Sequence, residues 1–366
     1  MKIPRFYRSL LLSLCAVVVS GLSLASAQEA KSNQPAAKKE KKGPPAAKFD
    51  KPQAPETLPG KGLAEHDFIV MGYQSSRDEK GIRIVKGGQV TWSYYDPEAK
   101  GAYSDATLLP NGNLLFAHGQ GVRIVTPDKK VVWHYDVKAQ EHEIDGAQPV
   151  GTDRVVFLQN GNPTARITVA NIVTGKIEKE VDVPLAATAN MKEPRYVHMQ
   201  ARRLRLTPAG TALIAYTNAN KVAEYDETGK EVWSAAVDSP WAVERLENGN
   251  TFVMSMKIEA IELNAKGETV WKFTKADAEA QGYIIDKTQS ALRLPNGNTL
   301  ITVNNETAWR PGMTPDSWAP VQVIEVTPAK KIVWALRDWN NLGAVTTIQL
   351  LDDPRIKENL HFGSVK

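Results

Sequence analysis

The chain has 366 residues, a formal net charge of +4 and a single cysteine, Cys15. One cysteine excludes an internal disulfide framework and a thiolate metal cluster. The positive excess is carried by Lys2, Arg5, Arg8 and the lysine-rich stretch up to Lys61, so the remainder is net acidic and lacks the basic surface that nucleic-acid binding requires.

Residues 1–27 read as a secretory signal. Lys2, Arg5 and Arg8 precede an apolar run from Leu10 to Leu24, and Ala25-Ser26-Ala27 has the small-residue pattern of a cleavage site near Ala27. The run is short for a membrane span, and Cys15 follows Leu14 rather than a small residue, which argues against a lipid anchor. Export to a periplasm or the medium is therefore expected. Residues 28–61 are mostly Lys, Pro, Ala and Gln. Such a segment buries too little surface to offset the entropy of ordering, so a disordered tether is expected, touching an anionic envelope surface weakly at most.

From residue 62 to 366 the chain repeats itself. A phrase ending in tryptophan recurs at Trp92, Trp133, Trp233, Trp271 and Trp334, with Lys179 at the sixth place, at spacings of 38 to 63 residues. Upstream of these stand LPNGN (Leu109 to Asn113), TPAGT (Thr207 to Thr211), ENGN (Glu247 to Asn250) and LPNGN again (Leu294 to Asn298). Asn-Gly and Thr-Gly pairs between β-branched and aromatic runs signal tight hairpins. The period is that of a four-stranded blade, and the fold class is an all-β propeller of four-stranded antiparallel blades stacked around an axis. The first repeat has a second, third and fourth strand but no first. The stretch from Ala344 to Leu351 supplies it, giving six blades with both termini in one sheet and no open edge. Blade three, Asp145 to Val183, is the least regular.

The stretch AEYDETGKEVW from Ala223 to Trp233, with a partial copy from Ala170 to Lys176, resembles the repeat of quinoprotein-type (pyrroloquinoline-quinone-repeat-like) propellers. LPNGN followed by a K-x-V-W strand is also similar to the propeller of bacterial arylsulfotransferases. The resemblance covers residues 66 to 353 and implies that Trp92, Trp133, Trp233, Trp271 and Trp334 dock one blade on the next.

One face carries the long, variable loops and is the expected site, because loops on a rigid scaffold hold most binding residues. At its channel mouth the candidate ligand groups are His118, His142, His198, Gln200, Arg202 and Arg203. Alternation lets about half of the innermost-strand residues face the channel. Guanidinium groups suit a carboxylate, sulfate or phosphate; alternatively Arg205, Glu244, Arg245 and Arg293 pair with one another across the channel. The insertion bearing Trp309, Arg310 and Trp318 is the candidate surface for a protein or glycan partner.

A binding module is the leading reading. The arylsulfotransferase resemblance implies a histidine nucleophile with arginines on the sulfuryl oxygens, and the quinoprotein resemblance implies an oxidoreductase, but the chain carries neither a matching catalytic signature nor an acidic calcium set. No cofactor and no metal are expected, and the molecule is expected to be a monomer.

Overall fold

The computed structural model describes residues 52–72, 81–138, 142–161, 164–185, 194–304, 320–351 and 360–365. They form six four-stranded antiparallel sheets. The innermost strands are Tyr103–Leu108, Ala147–Val150, Ala201–Leu206, Pro240–Arg245, Thr288–Arg293 and Thr347–Leu350, and each touches the next in a closed ring. Second strands such as Leu114–His118 are buried throughout, being covered by blades on both sides. Outermost strands such as Val131–Asp136 alternate between half-buried and exposed.

The ring closes as expected. Thr347–Leu350 pairs antiparallel with Phe68–Met71, Thr347 opposite Met71 and Leu350 opposite Phe68, so the last strand of the chain completes the first blade. The PNGN phrase has a local cause: Asn111 Oδ1 accepts from Asn113 N at 3.0 Å, while Gly112 takes φ 82°, a left-handed conformation that a side chain would strain.

Each third-to-fourth hairpin carries a register shift just before the recurrent tryptophan, or before Lys179 in blade three. The ring then reaches the next blade, where its Nε1–H donates to a backbone carbonyl: Trp92 to Pro127, Trp233 to Ala265, Trp271 to Pro328 and Trp334 to Gly62, at 2.8 to 3.0 Å. Four of the five rings are only half-buried; Trp334 is fully enclosed.

Arginines complete these seams. Arg245 ion-pairs with Glu224 of the preceding blade and stacks on Trp233, 4.7 Å from its centroid. Arg293 does the same with Glu262 at 2.8 Å and Trp271 at 4.4 Å. At the closure seam His66 plays this part, 2.8 Å from Glu325 and edge-on to Trp334. Arg245 and Arg293 thus work between blades instead of pairing across the channel, because the second half of the innermost strand abuts the neighbouring sheet.

Of the expected tether, residues 28–51 lie outside the described residues. Residues 52–61 are laid on the propeller: Ala54 is buried beside Tyr283 and Ile285, Gln53 O accepts from Ile284 N at 2.8 Å, and Pro59 O accepts from Ala335 N at 3.2 Å. Their few apolar groups and carbonyls cover the outer edge of blade six, which would otherwise present unpaired N–H groups.

Candidate functional site

Two faces of the channel differ because of a distortion the sequence does not announce. In blade four the register slips between Ala201 and Leu204, so both Arg202 and Arg203 face inward and each is 3% exposed. The same slip in blades two, five and six involves Ser104, Trp241, and Gln289 with Ser290. A bulge places extra side chains where alternation allows one.

On the long-loop side Arg202 anchors a compact cluster. Its Nη2 donates to Asp145 Oδ1 at 2.7 Å, its Nη1 lies 2.5 Å from Asp145 Oδ2 and 3.6 Å from Glu143 Oε2, and its guanidinium stacks on Trp241 at 3.8 Å from the centroid. His198 Nδ1 is 2.7 Å from Glu143 Oε1, a contact that assigns the proton to Nδ1. Arg202 Nη1 also lies 3.0 Å from that nitrogen, and it donates instead to His198 O at 2.5 Å. Burial pushes the Asp145 carboxyl up to about 7 against the pull of Arg202. Burial also acts to raise Glu143, but the His198 hydrogen bond and Arg202 hold it below its ordinary value. The donor atoms of Glu143, Asp145 and His198 lie within 4.8 Å of one another, close enough to hold a metal ion. Arg202 already sets a cation against both carboxylates.

His198 is the outward member of the cluster, its side chain 39% exposed. It lines a hollow of about 180 Å3 with His142, Glu143, Gln120 and Val197. A second hollow of about 470 Å3 shares Gln120 and is lined by Asp96, Glu98, Lys100, His118, His134 and Asp136. His118 is 1% exposed, 2.7 Å from Lys100 O through Nδ1, and has no partner at Nε2 among the described residues; burial lowers its pKa to about 4. Gln200 is buried and its Oε1 has no partner among the described residues.

Arg203 leaves this cluster and crosses the channel, donating to Ser290 Oγ at 2.9 Å and Ser104 O at 2.5 Å. Arg205 pairs with Asp105 at 2.8 Å. Of the four groups expected to pair across the channel, Arg245 and Arg293 work between blades, while Arg205 does cross it, to a carboxylate that was not foreseen. Trp309, Arg310 and Trp318 lie outside the described residues. The sequence reading missed Glu143, Asp145 and Trp241. The signals were Glu-Ile-Asp entering an innermost strand, as the arginines do, and a tryptophan outside the recurrent phrase.

Comparison with known proteins agrees with this architecture. Residues 188–307, spanning blades four and five and the first half of six, match a family model described as outer membrane protein assembly factor BamB. A protein of unknown function from Bacteroides caccae superposes with a TM-score of 0.63 at 19% identity, over 77% of this chain and 98% of that one. The fold shared with that structure is the β-propeller. A streptogramin B lyase superposes with a TM-score of 0.48 at 14% identity, over 76% of this chain and 86% of its own. BamB from Moraxella catarrhalis gives 0.39 at 12%, over 61% and 63%. No curated protein matches the chain.

Proposed function

We propose that this PQQ-repeat-like propeller is an exported binding module that holds a polypeptide partner on its long-loop face, with His198, Glu143, His142 and the acidic rim of Asp96, Glu98 and Asp136 as recognition groups. The observation that carries the reading is the pair of hollows joined at Gln120 on one rigid face. Arg202 and Arg203 are held by protein groups and Arg123 meets Asp96 and Asp136, so the lining that faces a partner is led by Glu98 and the imidazoles of His134, His142 and His198. These suit a lysine, arginine or amide donor better than an anion. The same occupation of the arginines weighs against sulfuryl transfer, which needs guanidinium groups free to hold oxyanions. The matched family's description speaks of assembly, which favours a protein partner. Export rests on the signal read in residues 1–27. No helix among the described residues is long and apolar enough to cross a membrane.

A photo-crosslinking residue at Glu98 or His134, on the long-loop face, is expected to capture a discrete partner from the cells that make the protein. The same residue at Asn111 or Asn248, on the short-turn face, is expected to capture none. Equal capture from both faces would sink the proposal. N-terminal sequencing of the secreted chain checks export, with Gln28 as the expected first residue.

A further inference from the structure

The other mouth of the channel has a different chemistry. A cavity of about 120 Å3 opens among the short turns, where Pro208 and Leu294 belong to those turns and line it. Its collar is apolar: Leu206, Leu292, Leu294, Ile348, Leu350 and Leu360. Its inner end is polar, formed by Arg203, Arg205, Asp105 and Ser290.

The charged groups at that inner end, Arg203 and Arg205 with Asp105 and Glu244, are unequally partnered. Asp105 is engaged twice by Arg205, which also feels Glu244, and Asp145 is engaged by Arg202. Arg245, on the cavity wall, has Glu224. Arg203 is left with neutral partners, a serine hydroxyl and a backbone carbonyl, and its Nε has none; no carboxylate pairs with it among the described residues. Burying a guanidinium without a counter-ion is unfavourable. Gln148 and Gln349, also on the wall, accept from Leu206 N at 2.8 Å and Leu108 N at 2.9 Å through Oε1. That leaves their amide hydrogens as further donors.

We propose that the channel binds a small amphipathic monocarboxylate from the short-turn face, its carboxylate answering Arg203 and its alkyl chain lying in the leucine collar. A single guanidinium without a carboxylate contact, with Asp105 and Glu244 on the same wall, fits a monoanion better than a phosphate dianion. The cavity, smaller than the roughly 150 Å3 that takes up benzene, limits the buried part of the ligand to a short alkyl chain. Burial lowers the Arg203 pKa to about 10, with Asp105 and Asp145 opposing the fall and Arg205 and Arg202 adding to it, the direction an anion at this place would reverse.

Calorimetric titration of the full-length mature protein with hexanoate, hexanol and hexylamine tests this. Hexanoate is expected to bind once per chain, with hexanol at least about tenfold weaker and hexylamine undetected. Arg203→Gln is expected to lose the hexanoate signal by a similar factor. Because that variant removes a buried cross-channel group and risks misfolding, a crystal of the unaltered protein soaked in 6-bromohexanoate gives a second readout: the bromine is expected within the leucine collar. Hexanol binding as tightly as hexanoate, absence of binding, or a bromine on the long-loop face would each overturn the proposal. His198→Ala is expected to leave hexanoate binding unchanged while weakening partner capture, which separates this site from the long-loop one.

Discussion

Phe362 lies beneath Lys179, its ring centroid 5.5 Å from Nζ, at the seam where the sixth docking tryptophan would stand. Phe362 is fully buried against Val181, Val183, Leu206 and Tyr225, while Lys179 and the Ser364 backbone both engage Glu227 in the blade-four turn. Five seams are joined by tryptophan; the sixth borrows an aromatic ring from the C-terminus. Phe362→Ala is expected to lower stability by about 3 to 4 kcal/mol, as for other buried phenylalanines. Denaturant unfolding measures it, and a loss under about 1 kcal/mol would show that the tail is decoration.

Truncation after Asn341 removes Thr347–Leu350 and leaves Phe68–Met71 with an open edge at the centre of the ring. Aggregation or a large fall in melting temperature is expected by light scattering and calorimetry. A monomeric truncation that melts cooperatively at the original temperature would contradict the closure.

The tryptophans are not equivalent. Trp334 is 1% exposed and its alanine variant is expected to cost about 3 to 5 kcal/mol. Trp233 is half-buried under Arg245, and its loss is expected to cost roughly half as much, partly through that cation contact. A double-mutant cycle of Arg245 with Trp233 is expected to show a coupling of about 0.5 to 1 kcal/mol.

Arg202→Ala strands Asp145 and Glu143 and is expected to destabilise the fold by about 3 to 5 kcal/mol. A companion Asp145→Asn substitution is expected to recover part of that loss. An Arg202→Ala variant of unchanged stability would mean that the ion pair is dispensable.

His118 makes stability depend on pH. Its folded imidazole stays neutral down to about 4, whereas an unfolded one protonates below about 6.5. The contribution is therefore fully present above 6.5 and is lost as pH falls towards 4, by up to about 3 kcal/mol. Asp145, raised in the folded state, acts with the opposite sign between its unfolded value and about 7. The difference between wild-type and His118→Gln unfolding curves across that range isolates the histidine. Parallel curves would mean that His118 is not held neutral.

The blades were legible because their repeat is made by turn chemistry and cross-blade docking, both local in sequence. Asn111-Gly112 announces its turn, and the K-x-V-W strand announces its seam. The candidate site was less legible. Arg202 and Arg203 were found, but the bulge that turns both inward depends on how Ala201–Leu206 pairs with Ala212–Tyr216, and nothing in the strand itself reveals that. Glu143 and His198 meet across 55 residues, a contact no periodicity encodes. The tail's role at Lys179 was visible only as a gap in the tryptophan series.

The pairing of Thr347 with Met71 sets a timetable for biogenesis. As the chain emerges, Phe68–Met71 waits with one edge unpaired until Thr347–Leu350 has followed it. Blade one is thus the first begun and the last finished, and its completion is governed by the slow search that long sequence separations impose. Any factor that shields a strand edge in transit would act on Phe68–Met71, and a protease would find the nascent ring most vulnerable there.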